Sequence, residues 1–123
     1  VQFKLAYLDD IQGNREKAID GYMDLRKKYP DWALVLVNLS DLQSRGNPSE
    51  KRMAMSLAME ARMQAPRWWP VHLCMGNRHL EHGDLGKATE AFESVLKLAA
   101  DNSEAKKRLT QISKQITNAS NCD

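Results

Sequence analysis

The sequence predicts an all-α solenoid of three helix pairs followed by a C-terminal capping helix, and three observations carry that expectation. First, similar residues recur at fixed distances. Ala18, Ala54 and Ala88 form one line, Tyr22, Ala58 and Phe92 a second, and Pro30, Pro66 and Ala100 a third. Successive members of each line stand about 34–36 residues apart, a period that marks stacked copies of one supersecondary unit. In every line the first gap is the longer, and by the same amount. Each unit buries its apolar face on a neighbour. Second, apolar residues fall three and four apart along the chain and no segment alternates with period two, so helices are expected and strands are not. Third, the turns keep the same phase: Gly13-Asn14 and Gly83-Asp84 stand two repeats apart.

The expected helices cover residues 2–12, 15–28, 32–45, 48–64, 69–82, 85–99 and 103–117. The first carries Phe3, Leu5, Tyr7, Leu8 and Ile11, more apolar residues than one buried face of a terminal helix holds. Gly13 stops it in the left-handed region and Asn14 caps the next. The second presents Ala18, Ile19, Tyr22 and Leu25 as one stripe. The third ends at Gly46. The fourth opens on Asn47-Pro48-Ser49-Glu50, with an N-cap, a proline at the first helical position and a glutamate at the third. The two extra residues of the longer period belong in or beside this turn. Trp68-Trp69-Pro70 opens the fifth helix. Leu85, Ala88, Phe92, Val95 and Leu96 give the sixth its apolar face. The last helix has one narrow stripe, Ala105, Leu109, Ile112 and Ile116, on an otherwise polar surface. That is the wettable end a solenoid needs. The chain therefore reads as one domain over 1–117, with repeats at about 1–32, 33–68 and 69–102, a cap at 103–117 and a disordered tail at 118–123.

At this point the residues resemble the tetratricopeptide repeat, a helix–turn–helix unit of about 34 residues. Gly76, Gly83, Ala88, Phe92 and Ala100 of the third repeat carry the resemblance. Gly13, Ala18, Tyr22 and Pro30 repeat it in the first, and Ala54, Ala58 and Pro66 in the second. His72 and His79 stand where the family favours Trp and Tyr, and Ser40 replaces the first-helix glycine of the middle repeat. The resemblance covers about residues 1–117 and implies a right-handed superhelix.

It also implies that the first helix of each pair lines a concave peptide-binding groove. The positions that match are Lys4, Tyr7, Asp10 and Ile11 in the first repeat, and Leu34, Val37, Asn38, Asp41 and Arg45 in the second. The third gives Leu73, Cys74, Asn77, Leu80 and Glu81, and the cap adds Lys107, Arg108 and Gln111. One subfamily clamps the C-terminal carboxylate of chaperones with Lys, Asn and Arg side chains. Asn38 and Asn77 are amides of that kind. Phe3 and Val37, however, stand where a lysine is expected, and Leu73 and Cys74 carry no charge. The implied ligand is a peptide with apolar anchors against Val37 and Leu73, its backbone bonded by Asn38 and Asn77.

Composition points away from chemistry. The 123 residues are 42% hydrophobic and 28% charged, with a net charge of +2 and mixed signs throughout. The one dense basic cluster, Lys106-Lys107-Arg108, reads as a solvated helix face, so no nucleic-acid partner is expected. No run of about 18 apolar residues exists to span a membrane. Cys74 and Cys122 lie far apart in unlike settings, which implies no disulfide framework and favours a reducing, cytoplasmic compartment. His72 and His79 share a face but stand roughly 10 Å apart along the axis. His79 and His82 are spaced to chelate but have no third ligand, so no metal is expected. Gly83-Asp84-Leu85-Gly86 follows a helix and is too short for a phosphate loop. No nucleophile has a base beside it, so neither catalytic residues nor a cofactor are expected. The resemblance implies that Met59 and Met63 face the outer, convex side, where they would offer a rival contact surface.

The reading that results is a non-catalytic interaction scaffold that holds a peptide segment of a partner. The alternatives are a recognition domain cut from a larger enzyme and a small bacterial secretion chaperone. The crowded first helix is expected either to self-associate or to pack on preceding chain.

Overall fold

The computed structural model describes residues 1–121, so Cys122 lies outside it. Among the described residues there are seven helices and no strand: α1 (Gln2–Ile11), α2 (Arg15–Lys28), α3 (Ala33–Gln43), α4 (Pro48–Gln64), α5 (Trp69–Glu81), α6 (Leu85–Leu98) and α7 (Ser103–Asn121). Two boundaries differ from the sequence reading by more than one residue. The third helix ends two residues early, because Ser44, Arg45 and Gly46 form the turn. The register explains this. Along Ala6, Ser40 and Gly76 the shorter gap comes first, whereas along Ala18, Ala54 and Ala88 the longer does. The two extra residues therefore lie between Ser40 and Ala54, and the turn absorbs them. The seventh helix runs to Asn121, past the expected 117, since residues 118–121 contain neither glycine nor proline to stop it.

The turns follow from local chemistry. Gly13 and Gly83 have φ of 82° and 78°, and a Cβ on either would meet nothing within 4 Å. Backbone conformation, not space, requires glycine there. Asn47 and Glu50 form the expected capping box: the Asn47 side chain accepts from the Glu50 N–H at 2.9 Å, and Glu50 accepts from the Asn47 N–H at 3.2 Å. Asp84 accepts from the Lys87 N–H at 3.0 Å. Asn14 is the exception. It makes no side-chain cap and its amide donates to Asp9 at 3.4 Å.

Contacts divide the chain into two compact units, Val1–Pro66 and the chain from Arg67 on. In the first, α1 packs on α2, α2 on α3, and α3 on α4. Ala18, Tyr22, Leu25, Leu36, Leu39 and Leu57 are fully or almost fully buried. Helices approach closely where side chains are small. A Cβ on Gly21 would stand 2.9 Å from the Ala6 Cβ. The Ser40 hydroxyl, buried, donates to the Ala54 carbonyl at 2.7 Å. Polar contacts join α2 and its closing loop to α4: Arg15 Nη2 to Glu50 Oε2 at 2.6 Å, Arg26 Nη2 to Glu60 Oε2 at 3.1 Å, and Gln64 Nε2 to the Pro30 carbonyl at 2.7 Å. The bond from Arg15 holds the Glu50 carboxyl below its ordinary pKa. The two ion pairs are half-exposed, and such ties fix orientation more than they add stability.

In the second unit α5 packs on α6 and α6 on α7. Ala88, Phe92, Val95, Ala105 and Ile112 form its core, with Leu73, Leu80 and Leu109 packed against them. The Phe92 ring lies against Gly76, where a Cβ would meet it at 2.5 Å. Ala88 is fully buried beside that contact. Ala88→Leu is expected to overpack the core and cost about 1–3 kcal/mol, read as a lowered melting temperature by circular dichroism.

Candidate peptide-binding surface

Within the first unit, the side chains of α1 and α3 meet over one residue, Tyr22 of α2. The Asn38 amide donates to the Tyr22 hydroxyl at 3.4 Å. The Tyr22 pKa is pushed up to about 12, first by burial and then by the negative charge of Asp10, to which its hydroxyl is also hydrogen-bonded. Tyr22 thus remains a neutral phenol that holds Asp10 and Asn38 together. Beside it runs a row of aromatic rings. Tyr7 stacks on Phe3 at 6.3 Å, Phe3 lies 5.9 Å from Tyr22 and 5.0 Å from Trp32, and Tyr29 meets Trp32 edge-on at 6.0 Å. Such pairs hold each other in place by offset and edge-to-face attraction. Tyr29, Pro30 and Trp32 also line an open hollow with Lys28 and Asp31. The surface therefore combines a fixed aromatic row, one amide and one carboxylate.

Of the positions implied by the resemblance, Lys4 and Tyr7 are exposed, and Leu34, Asn38 and Asp41 are half-buried on α3. Two differ from expectation. Val37 is only 8% exposed and belongs to the core, so it offers little apolar contact. Arg45 sits in the turn after α3, because that helix ends at Gln43. In the second unit, Leu73 and Leu80 are partly spent on the α6–α7 core. Glu81 is exposed and accepts from the buried Arg78 at 2.8 Å. Asn77 is half-buried, and its Oδ1 is buried with no hydrogen-bond partner among the described residues. A buried amide oxygen left so is uncommon. Cys74 is buried, and no group of three or more His, Cys, Asp or Glu that could hold a metal occurs among the described residues. Met59 and Met63 are exposed on α4.

The sequence reading does not single out Phe3, Tyr29 and Trp32 as parts of one surface. A signal exists: five of the chain's eight aromatic residues fall before Ala33. What cannot be read is that Trp32, the N-cap of α3, lies against a ring of α1.

No family model and no curated protein matches the chain. Solved structures do. The first TPR of Spaghetti (RPAP3) bound to the HSP90 peptide SRMEEVD aligns at a TM-score of 0.86 and 22% identity, over 94% of this chain and 93% of that one. This chain has the tetratricopeptide-repeat fold. The Sgt2 TPR domain from Aspergillus fumigatus aligns at 0.86 and 19% identity, over 98% of this chain and 80% of that one. The type III secretion translocator chaperone SycD of Yersinia enterocolitica aligns at 0.75 and 15% identity, over 95% and 79%. In the tetratricopeptide frame the three helix pairs are α1–α2, α3–α4 and α5–α6, and α7 is the terminal helix. Phe3 is engaged in ring stacking and Val37 is buried in the core, and neither carries a charge. Among the described residues no helix is long and apolar enough to cross a membrane.

Proposed function

We propose that the chain is a non-catalytic protein-interaction scaffold that holds a peptide segment of a partner on the first helices of its repeats. The observation that carries this reading is the junction of α1 and α3 over Tyr22, where Asn38 and Asp10 stand beside the aromatic row. An amide and a carboxylate bond a peptide backbone without selecting sequence, and aromatic rings supply apolar contact at low entropic cost. That two tetratricopeptide neighbours were solved with HSP90 and HSP70 peptides supports peptide binding as the use of the fold. The tail of such a peptide is not the expected ligand here, because Phe3 and Val37 cannot neutralise a terminal carboxylate.

Selection from a random peptide library displayed on phage tests the reading. Selected peptides are expected to lose about 0.5–1.5 kcal/mol, roughly two- to twelvefold in affinity, on Asn38→Ala. If instead Met59→Glu abolishes binding while Asn38→Ala binds normally, the outer face of α4 is the site and the first-helix reading is wrong.

A further inference from the structure

The turns that follow the second helix of each pair are equivalent in sequence. Tyr29, Ala65 and Ala99 close α2, α4 and α6, and Trp32, Trp68 and Asn102 open α3, α5 and α7. Alanine at two of the three closing positions shows that the fold itself does not need an aromatic ring there. The turn between α2 and α3 combines Tyr29, Asp31 and Trp32. Its counterparts read Ala65, Arg67 and Trp68, and Ala99, Asp101 and Asn102, so neither repeats the set.

This turn builds a corner of two rings. Tyr29 and Trp32 stand 6.0 Å apart with their planes at 84°. Backbone bonds fix both residues: the Tyr29 N–H donates to the Leu25 carbonyl at 2.7 Å, and the Trp32 N–H to the Tyr29 carbonyl at 3.2 Å. Gln64 of α4 holds the carbonyl of Pro30 between them, and Phe3 lies behind Trp32 at 5.0 Å. Tyr29 nevertheless stays 56% exposed and Trp32 37%. With Lys28, Pro30 and Asp31 they line an open hollow of about 470 Å³, a volume within the range of small-molecule sites. Two of the lining residues are charged. The Lys28 ammonium is paired with Asp24 at 3.5 Å. The exposed Asp31 has no ion pair and no side-chain hydrogen bond among the described residues. The unpaired charge of the hollow is therefore negative.

We propose that this hollow binds the guanidinium group of an arginine in a partner peptide. Aromatic faces attract a cation, and a free carboxylate offers two acceptors to the paired N–H groups of a guanidinium. Arginine uses both features at once, because its head is flat, weakly hydrated and always charged. The lysine ammonium is compact and strongly hydrated, and it stacks on no ring. The hollow continues the aromatic row of the first helices, since Trp32 opens α3 and meets Phe3 of α1. That the arginine belongs to a peptide rests on the function proposed above; the guanidinium site rests on the hollow alone.

The probe is arginine blocked at both ends, N-acetylarginine N-methylamide. It is titrated into the chain while the indole N–H of Trp32 is followed by NMR, with Trp32→Phe assigning that signal. Saturable binding in the millimolar range is expected. Asp31→Asn and Tyr29→Leu should each weaken it about threefold or more. Both residues are exposed, and the spectra of the free variants check their folding. Blocked lysine should bind more weakly than blocked arginine. Asn38→Ala should change nothing here, because Asn38 meets Tyr22 and does not line the hollow. A shift that never saturates, or binding that Asp31→Asn leaves unaltered, would overturn the proposal. So would tighter binding of blocked trimethyllysine, since the hollow would then be a site for an alkylated ammonium. If selected peptides depend on Asn38 while blocked arginine does not bind, this site falls and the proposed function stands. Arginine binding without any selected peptide would support the guanidinium site and count against the peptide function.

Discussion

Phe92→Ala is expected to destabilise the unit formed by α5, α6 and α7 by about 3–5 kcal/mol. The ring is fully buried. One side of it rests on Gly76, which has no side chain to move into the space. Its other neighbours in the core include Ala88 and Ala105, which are too small to fill a void. A cavity that cannot collapse gives the upper part of the range, because transfer and cavity terms then add. Against a usual stability of about 5–15 kcal/mol for a domain, this loss is a large fraction. Urea denaturation followed by circular dichroism measures it, and a loss under about 1 kcal/mol would show that Phe92 is not the anchor of this core. A double-mutant cycle sharpens the test. Gly76→Ala alone places a Cβ 2.5 Å from the ring and should destabilise. In the Phe92→Ala background the same change meets no ring and gains the helix propensity of alanine, about 1 kcal/mol. The sign of the Gly76→Ala effect should therefore reverse, which only direct contact produces.

The fold was legible because it rests on spacing. Three lines of small and aromatic residues, each repeating with the same long-then-short gaps, place every helix. The capping box at Asn47 and the glycines Gly13 and Gly83 mark the turns. The site was less legible, because it rests on which side chains reach across between helices. Asn38 reads as an amide on a first helix, but its partner, the Tyr22 hydroxyl, belongs to a line that reads only as core. Val37 reads as an open apolar contact because the resemblance implies a groove position there. Its burial depends on packing that no periodicity encodes. Arg45 departs from expectation for a local reason: the two-residue insertion shortens α3, and only the opposite order of gaps in the first and second helices locates it.

Leu39→Asp and Leu5→Asp make the same chemical change at equivalent positions of consecutive repeats, and are expected to differ by more than about 4 kcal/mol. Leu39 is fully buried on α3, which packs against α2 and α4. A carboxylate there has no positive partner assigned by the repeat, so it either remains charged in an apolar core or binds a proton at neutral pH. Either way the core loses an apolar side chain and gains a polar group to satisfy. Leu5 is more than half exposed and an aspartate there stays in water. Its cost should lie within about 0.5 kcal/mol, as for surface changes elsewhere. Paired urea melts of the two variants measure the difference. The comparison isolates the missing neighbour, because sequence spacing, helix position and residue type are matched. If Leu5→Asp costs as much as Leu39→Asp, the outer face of α1 is already covered in the free protein. If the two differ as expected, the difference is the packing that Leu39 has on α3 and Leu5 lacks on α1.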